Sequence, residues 1–166
     1  TPFPHLILHN FYNDEELKLI WEELDFYTKP NKLLDVKEYL GVVDKTNANA
    51  IYLDVVYPKK FRKLSNILTV NRKVFAQQVL EPFSKLHDCC LHSMQSNYDH
   101  TKVRYYHDGD FYEPHTDNFF DFLAFSYFYR EPKRFEGGEL FFPKYNYSFS
   151  CDNNSIIIMP AWVEHG

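Results

Sequence analysis

Residues 105 to 118 read Tyr-Tyr-His-Asp-Gly-Asp-Phe-Tyr-Glu-Pro-His-Thr-Asp-Asn, which sets His115 and Asp117 two positions apart just after an Asp-Gly turn. An imidazole nitrogen and a carboxylate oxygen are both good ligands for a divalent transition metal. On an extended strand, residues i and i+2 face the same side, so the two groups can aim at one point. Two ligands rarely hold a metal, and a third should come from a neighbouring strand late in the chain. His165 meets that need, because it follows the apolar run Ser-Ile-Ile-Ile-Met-Pro at 155 to 160. Two imidazoles and one carboxylate on one face of an octahedron leave the opposite face open, an arrangement suited to non-haem Fe(II).

A His-x-Asp pair alone is weak evidence in a chain with 8 His, since paired polar groups are often structural. His5, His9, His87, His92 and His100 read as surface or helix-face residues. His107, beside the Asp-Gly turn, is a competing ligand on the preceding strand. Cys89, Cys90 and Cys151 offer a rival set of thiolates for zinc. Their spacing fits no zinc pattern, so small buried hydrophobes are the expectation.

These residues need elements to position them. The first stretch predicts a short strand and then a helix capped at Asn13 or Asp14, with Glu15 and Glu16 in its first turn. Leu17, Ile20, Trp21 and Leu24 form its apolar stripe. Residues 29 to 50 read as loop, and 50 to 57 as a strand ended by Pro58. From about Phe61 to Leu91 the pattern is helical. Leu64, Leu68, Phe75, Val79 and Leu86 share a face there, and Pro82 divides the region in two. After Asn97 the texture changes to strands: 101 to 107, an entry at 112 to 118, a buried strand at 122 to 130, another opened by Gly137-Gly138, and a last pair after the Asn153-Asn154 turn. Helices first and antiparallel strands second predict one α+β domain, with helices outside a β-sandwich or barrel.

Composition narrows the function classes. The 166 residues are 45% hydrophobic and 19% aromatic, enough for one domain with a sizeable core. The formal net charge of −5 argues against a nucleic-acid role, which usually needs a basic face. The basic cluster at 58 to 63, Pro-Lys-Lys-Phe-Arg-Lys, reads as a solvated helix start. No apolar run reaches membrane-spanning length. Three Cys, two of them adjacent, do not form a disulfide framework and predict a reduced, cytoplasmic setting. The first residue is Thr, so a trimmed targeting segment is also part of the expectation.

Three segments together carry a family resemblance. The stretch 105 to 118 resembles the metal-binding segment of the 2-oxoglutarate and Fe(II)-dependent oxygenases, prolyl 4-hydroxylase type, in which a Tyr-x-x-Gly turn leads to Tyr-x-x-His-x-Asp. Gly-Gly-Glu-Leu-Phe-Phe-Pro at 137 to 143 resembles that family's Gly-Gly-Glu hairpin. Residues 153 to 166 resemble its strand ending in the distal His. Order and spacing agree across 98 to 166, and the preceding helices are similar to the family's N-terminal support.

The resemblance implies a double-stranded β-helix, or jelly roll, with residues 1–97 as mainly helical support and 98–166 as jelly-roll strands of a single domain. It implies Fe(II) on His115, Asp117 and His165, with 2-oxoglutarate as co-substrate near Tyr106 and Ser126, and ascorbate as an accessory. It implies O₂-dependent hydroxylation of an unactivated C–H bond, most naturally a prolyl residue in a peptide or protein, with Tyr112, Phe119, Phe120 and Trp162 as aromatic flanks. A free amino acid as substrate, or a non-catalytic jelly-roll binding module, are the rival readings. The family also holds the far carboxylate of 2-oxoglutarate with an Arg or Lys beyond the distal His. The expectation here is a chain cut short at Gly166, with Arg104 and Arg130 as the internal alternatives.

Overall fold

The central strand of this protein is buried on both faces. Ser155–Pro160 is fully enclosed along its length, with Ile156, Ile157, Ile158 and Met159 at 0% exposure. Such a strand reads as a continuous apolar run because it has covering layers on both sides. The computed structural model describes residues 1–29, 34–35 and 48–166, with the backbone alone at 34–35. The expected loop at 29 to 50 therefore lies largely outside the described residues. Where it is described, short strands begin at Leu34 and Asn49.

In chain order the elements are β1 (Leu6–Leu8), α1 (Asp14–Tyr27), β2 (Leu34–Asp35), β3 (Asn49–Tyr52), α2 (Leu53–Val56), α3 (Asn66–Val70), α4 (Gln77–Ser84), β4 (Lys102–Tyr105), β5 (Phe122–Tyr127), β6 (Leu140–Phe142), β7 (Tyr147–Phe149) and β8 (Ser155–Pro160). Short 3-10 helices occupy Lys59–Leu64, Asn71–Phe75, Asp88–Gln95 and Pro143–Tyr145. Among the described residues the result is a mixed α and β fold with three small antiparallel sheets. No helix among the described residues is long and apolar enough to cross a membrane.

The chain forms two compact units. The first comprises Thr1–Tyr12, Val74–Asn97 and Pro114–Gly166, and the second Asn13–Lys73 and Tyr98–Glu113. In the first unit β8 lies between β1 and β5, with Ile157 opposite both Ile7 and Phe125. One face of this sheet meets the β6–β7 hairpin. Phe3, Leu140, Phe142, Phe149, Ile157, Met159 and Val163 form the buried core there, and Leu123, Phe125 and Tyr127 pack against it. The opposite face takes the helices: the Phe122 ring lies 6.0 Å from both Phe75 and Phe83. Two β layers with a helical layer outside agree with the α+β expectation.

The second unit pairs β2, β3 and β4 in that order and packs α1 against α3. Asn13 and Glu16 close a reciprocal capping box at the start of α1, both bonds at 2.9 Å. The buried face of α1 is centred on Ile20, Glu23 and Tyr27, with the expected Leu17, Trp21 and Leu24 only half-buried beside it. Glu23 is a buried carboxylate that accepts from the Tyr27 hydroxyl at 2.5 Å, the Ser65 hydroxyl at 2.8 Å and the Ile67 amide at 2.7 Å. These bonds tie α1 to the first turn of α3. Burial and the adjacent Glu23 carboxylate push the Tyr27 phenol far above its usual range, so it stays protonated and donates.

Several local expectations fail for identifiable reasons. The strand expected at 50 to 57 stops at Tyr52, and Leu53–Val56 form a helical turn. Leu53 N–H donates to the Thr101 carbonyl and Asp54 accepts from the Thr101 amide, both at 3.0 Å, so the chain turns where its partner strand begins. The β-branched Val55 and Val56 have no strand to face and remain exposed, which overrides their propensity. Pro82 lies inside α4 and divides nothing. It is close to the end of a short helix, so it removes only one late hydrogen bond. The break falls after α4, where His87 caps the following 3-10 helix. Leu64 and Leu86 are exposed, because the region is a series of short helices and not one continuous helical stripe. Strand β5 is half-buried, as it lies at the edge of its sheet.

Strand β8 gives the fold a direct test. Ile157→Ala should lower the stability of the folded chain by about 2–5 kcal/mol, since the site is fully enclosed and cannot collapse freely. Urea unfolding followed by circular dichroism measures it, and a loss below ~1 kcal/mol would contradict the packing described.

Candidate metal centre

His115 and His165 are paired by backbone. Each N–H donates to the other's carbonyl, at 2.8 and 2.9 Å, in an antiparallel bridge. Residues in such a hydrogen-bonded pair project their side chains to the same face. Asp117, two residues on, donates its N–H to the Ala161 carbonyl at 3.1 Å. Gly166 in turn exchanges two backbone bonds with Phe141, at 2.8 and 2.9 Å. The end of the chain is thus laid between the His115 segment and β6. Neither the stretch at 112 to 118 nor that at 161 to 166 is the continuous strand expected; both are held by isolated bridges. The i, i+2 logic survives because the bridge fixes the local extension.

This backbone brings the three side chains together. One ligand atom from each of His115, Asp117 and His165 lies within 4.8 Å of the others. Both imidazole Nε2 atoms are 3.8 Å from Asp117 Oδ2. That is beyond hydrogen-bond range. It is within the span one ion can bridge, since two bonds of roughly 2.0–2.2 Å reach at most about 4.0–4.4 Å. The donor set of two nitrogens and one oxygen suits a borderline transition metal.

The surroundings orient the ligands. His165 is 2% exposed, and its Nδ1 is 2.9 Å from the Val163 carbonyl. An Nδ1–H donated to that carbonyl leaves the Nε2 lone pair facing Asp117, the tautomer a metal requires. The Phe125 ring meets the His165 ring edge-on at 5.2 Å, and the His115 ring lies 4.4 Å from it. Val163 and Phe125 were not singled out in the sequence. Their position follows from tertiary packing, although Val163 stands two residues before a ligand and so shares its local turn.

The remaining candidates are placed as follows. Ser126 alternates with Phe125 on β5, on the parity of Phe122, which meets the helical layer. Phe125, and not Ser126, reaches His165. Tyr106 follows β4 in the second unit and is half exposed. The Arg104 guanidinium lies 4.3 Å over the Tyr112 ring, and Arg130 is exposed. His107 engages Asp110, and His100 pairs with Asp54. His5 is half-buried; His9, His87, His92 and His100 are exposed.

The cysteines form no rival site. Cys89 and Cys90 have their sulfurs 3.9 Å apart, and all three thiols are free. Burial, and then the neighbouring Cys89, push the Cys90 thiol up to about 12, and burial pushes Cys151 up to about 11. Groups so raised remain protonated at neutral pH and make poor ligands and nucleophiles. No protein-family model matches the chain, and no curated protein matches it in sequence.

Two measurements follow. Wild-type protein should bind one divalent transition-metal ion per chain, and His115→Ala, Asp117→Ala and His165→Ala should each weaken binding by roughly 100-fold or more. Metal analysis after dialysis against Fe(II) or Co(II) reads this, and wild-type loading in the His165 variant would exclude the site. For the thiols the sign is set by the raised values: protonation persists well above pH 8, so a thiol reagent at pH 8 should modify Cys89 first. Faster labelling of Cys90 or Cys151, seen by peptide mass spectrometry, would contradict their burial.

Proposed function

We propose that this protein is an Fe(II)- and 2-oxoglutarate-dependent dioxygenase of the prolyl 4-hydroxylase type, acting on a prolyl residue in a peptide or protein. The observation that carries the reading is the convergence of His115, Asp117 and His165 on one point from two bridged segments. The resemblance of residues 105 to 118, 137 to 143 and 153 to 166 supplies the choice of metal and co-substrate. The β1-β8-β5 sheet facing the β6–β7 hairpin is compatible with a jelly-roll core built around the triad.

With Fe(II) and 2-oxoglutarate bound, the centre would supply the oxidation of an unactivated C–H bond by O₂. The chain's own residues have simpler tasks. His115, Asp117 and His165 would hold the ion, a donor set of the two-His-one-carboxylate kind. Val163 keeps the proton of His165 on Nδ1. Phe125 and the core beneath it exclude water from the buried side of the site, which strengthens the electrostatic hold of the ligands. Tyr106 is assigned by resemblance to the co-substrate. The parity of β5 speaks against a similar contact from Ser126.

Anaerobically prepared protein loaded with Fe(II) should convert 2-oxoglutarate to succinate once O₂ is admitted, and turnover should rise with a proline-containing peptide. The peptide should gain about sixteen mass units, one oxygen atom. His115→Ala should abolish both signals, a loss of at least ~1,000-fold. Metal binding without succinate formation would leave a non-catalytic binding module, and hydroxylation of free proline with peptides inert would move the substrate class to free amino acids.

A further inference from the structure

Phe119 is 98% exposed, an unusual position for a ring whose burial is worth several kilocalories. It stands at the tip of the turn 117–120, closed by the Phe120 N–H to the Asp117 carbonyl at 3.1 Å. Trp162, 47% exposed, stands at the tip of a second turn, closed by the Val163 N–H to the Pro160 carbonyl at 3.2 Å. The Asp117–Ala161 backbone bond ties the two turns side by side. One turn begins at the ligand Asp117, and the other runs directly into the ligand His165. Two large aromatics therefore stand on cross-linked turns that lead directly into the triad residues.

Exposed aromatic tips do not suit a small ligand, which is normally enclosed on most of its surface. They suit a macromolecule, for which Trp and other aromatics are the usual anchors. Charge decides which macromolecule. The segments that carry the two turns, residues 114–123 and 160–166, contain no Lys or Arg, whereas they carry Asp121 and Glu164 besides the candidate ligand Asp117. Nucleic acid would bring phosphates to turns that carry Asp121 and Glu164 and offer no Lys or Arg to receive them. An extended polypeptide brings no such charge, and basic residues beside its apolar ones would be attracted.

We propose that Phe119 and Trp162 grip an extended apolar polypeptide segment flanked by Lys or Arg, and hold it across the mouth of the triad. This rests on the reading of the triad as the reacting centre, but its test does not need turnover. A fluorescein-labelled peptide of alternating proline and alanine, with lysine at both ends, is titrated with the metal-loaded protein by anisotropy. The same peptide with glutamate ends and a random single-stranded DNA are the comparison probes. The lysine-ended peptide should bind tightest, and Phe119→Ser and Trp162→Ser should each weaken it at least tenfold while retaining their metal. Where turnover is measured, KM for the peptide should rise with the same variants more than kcat falls.

Tight binding lost in the variants, with no hydroxylation, would overturn the oxygenase reading and leave the grip standing. Hydroxylation with unchanged KM in both variants would do the reverse. Absence of binding by the lysine-ended peptide, unaltered binding in the variants, or tighter binding of the DNA would overturn the proposal.

Discussion

The paired backbone bond between His115 and His165 is the constraint on which the site depends. A hydrogen-bonded antiparallel pair sets its two Cα atoms about 5.5 Å apart and turns both side chains to one face. Neither imidazole could be displaced by one residue without turning its ring to the opposite side. Asp117 is carried to the same point by the extended backbone of the His115 segment. The site is thus specified by register, before any side-chain interaction is considered.

Register of this kind must be held by something larger than one pair of bonds. Strand β8 leads to His165, and its burial on both faces fixes where the terminal segment begins. Phe141 holds it beside β6, through two bonds to Gly166. Val163 belongs to the same core and also offers the carbonyl that sets the His165 tautomer. One residue therefore links core packing to ligand chemistry. His165 Nε2 and Asp117 Oδ2 face each other at 3.8 Å, a span that one shared cation could bridge.

The second unit uses a different device. Glu23 is buried within a ring of three neutral donors, from Tyr27, Ser65 and Ile67. Without the carboxylate the Ser65 hydroxyl and the Ile67 amide would lose this acceptor and Tyr27 would keep only its 3.2 Å bond to Tyr57, so the cost of removing it exceeds that of any single bond. It joins two helices that are too short to be stable alone. The sequence shows Glu23 only as one of several acidic residues on α1, because its role depends on partners some forty positions away.

The sequence by itself determined the types, order and spacing of the three candidate ligands, since His-x-Asp on extended chain and a late His after an apolar run have few geometric outcomes. It also determined the start of α1 at a cap on Asn13 or Asp14 and the Asp108-Gly109 and Asn153-Asn154 turns, all of which are local signals, whereas the strand expected to be buried, 122 to 130, is half-buried at a sheet edge. It did not determine that Val55 and Val56 would leave the sheet, that Pro82 would sit within a helix, or that Leu64 and Leu86 would be exposed. Those outcomes depend on where partner segments end. Only the tertiary structure decided that His115 pairs with His165, that Phe125 and not Ser126 faces the site, and that Phe119 stands clear of the core. Each is a question of which strand lies beside which and in what register, and the period-two pattern of a strand does not carry that information.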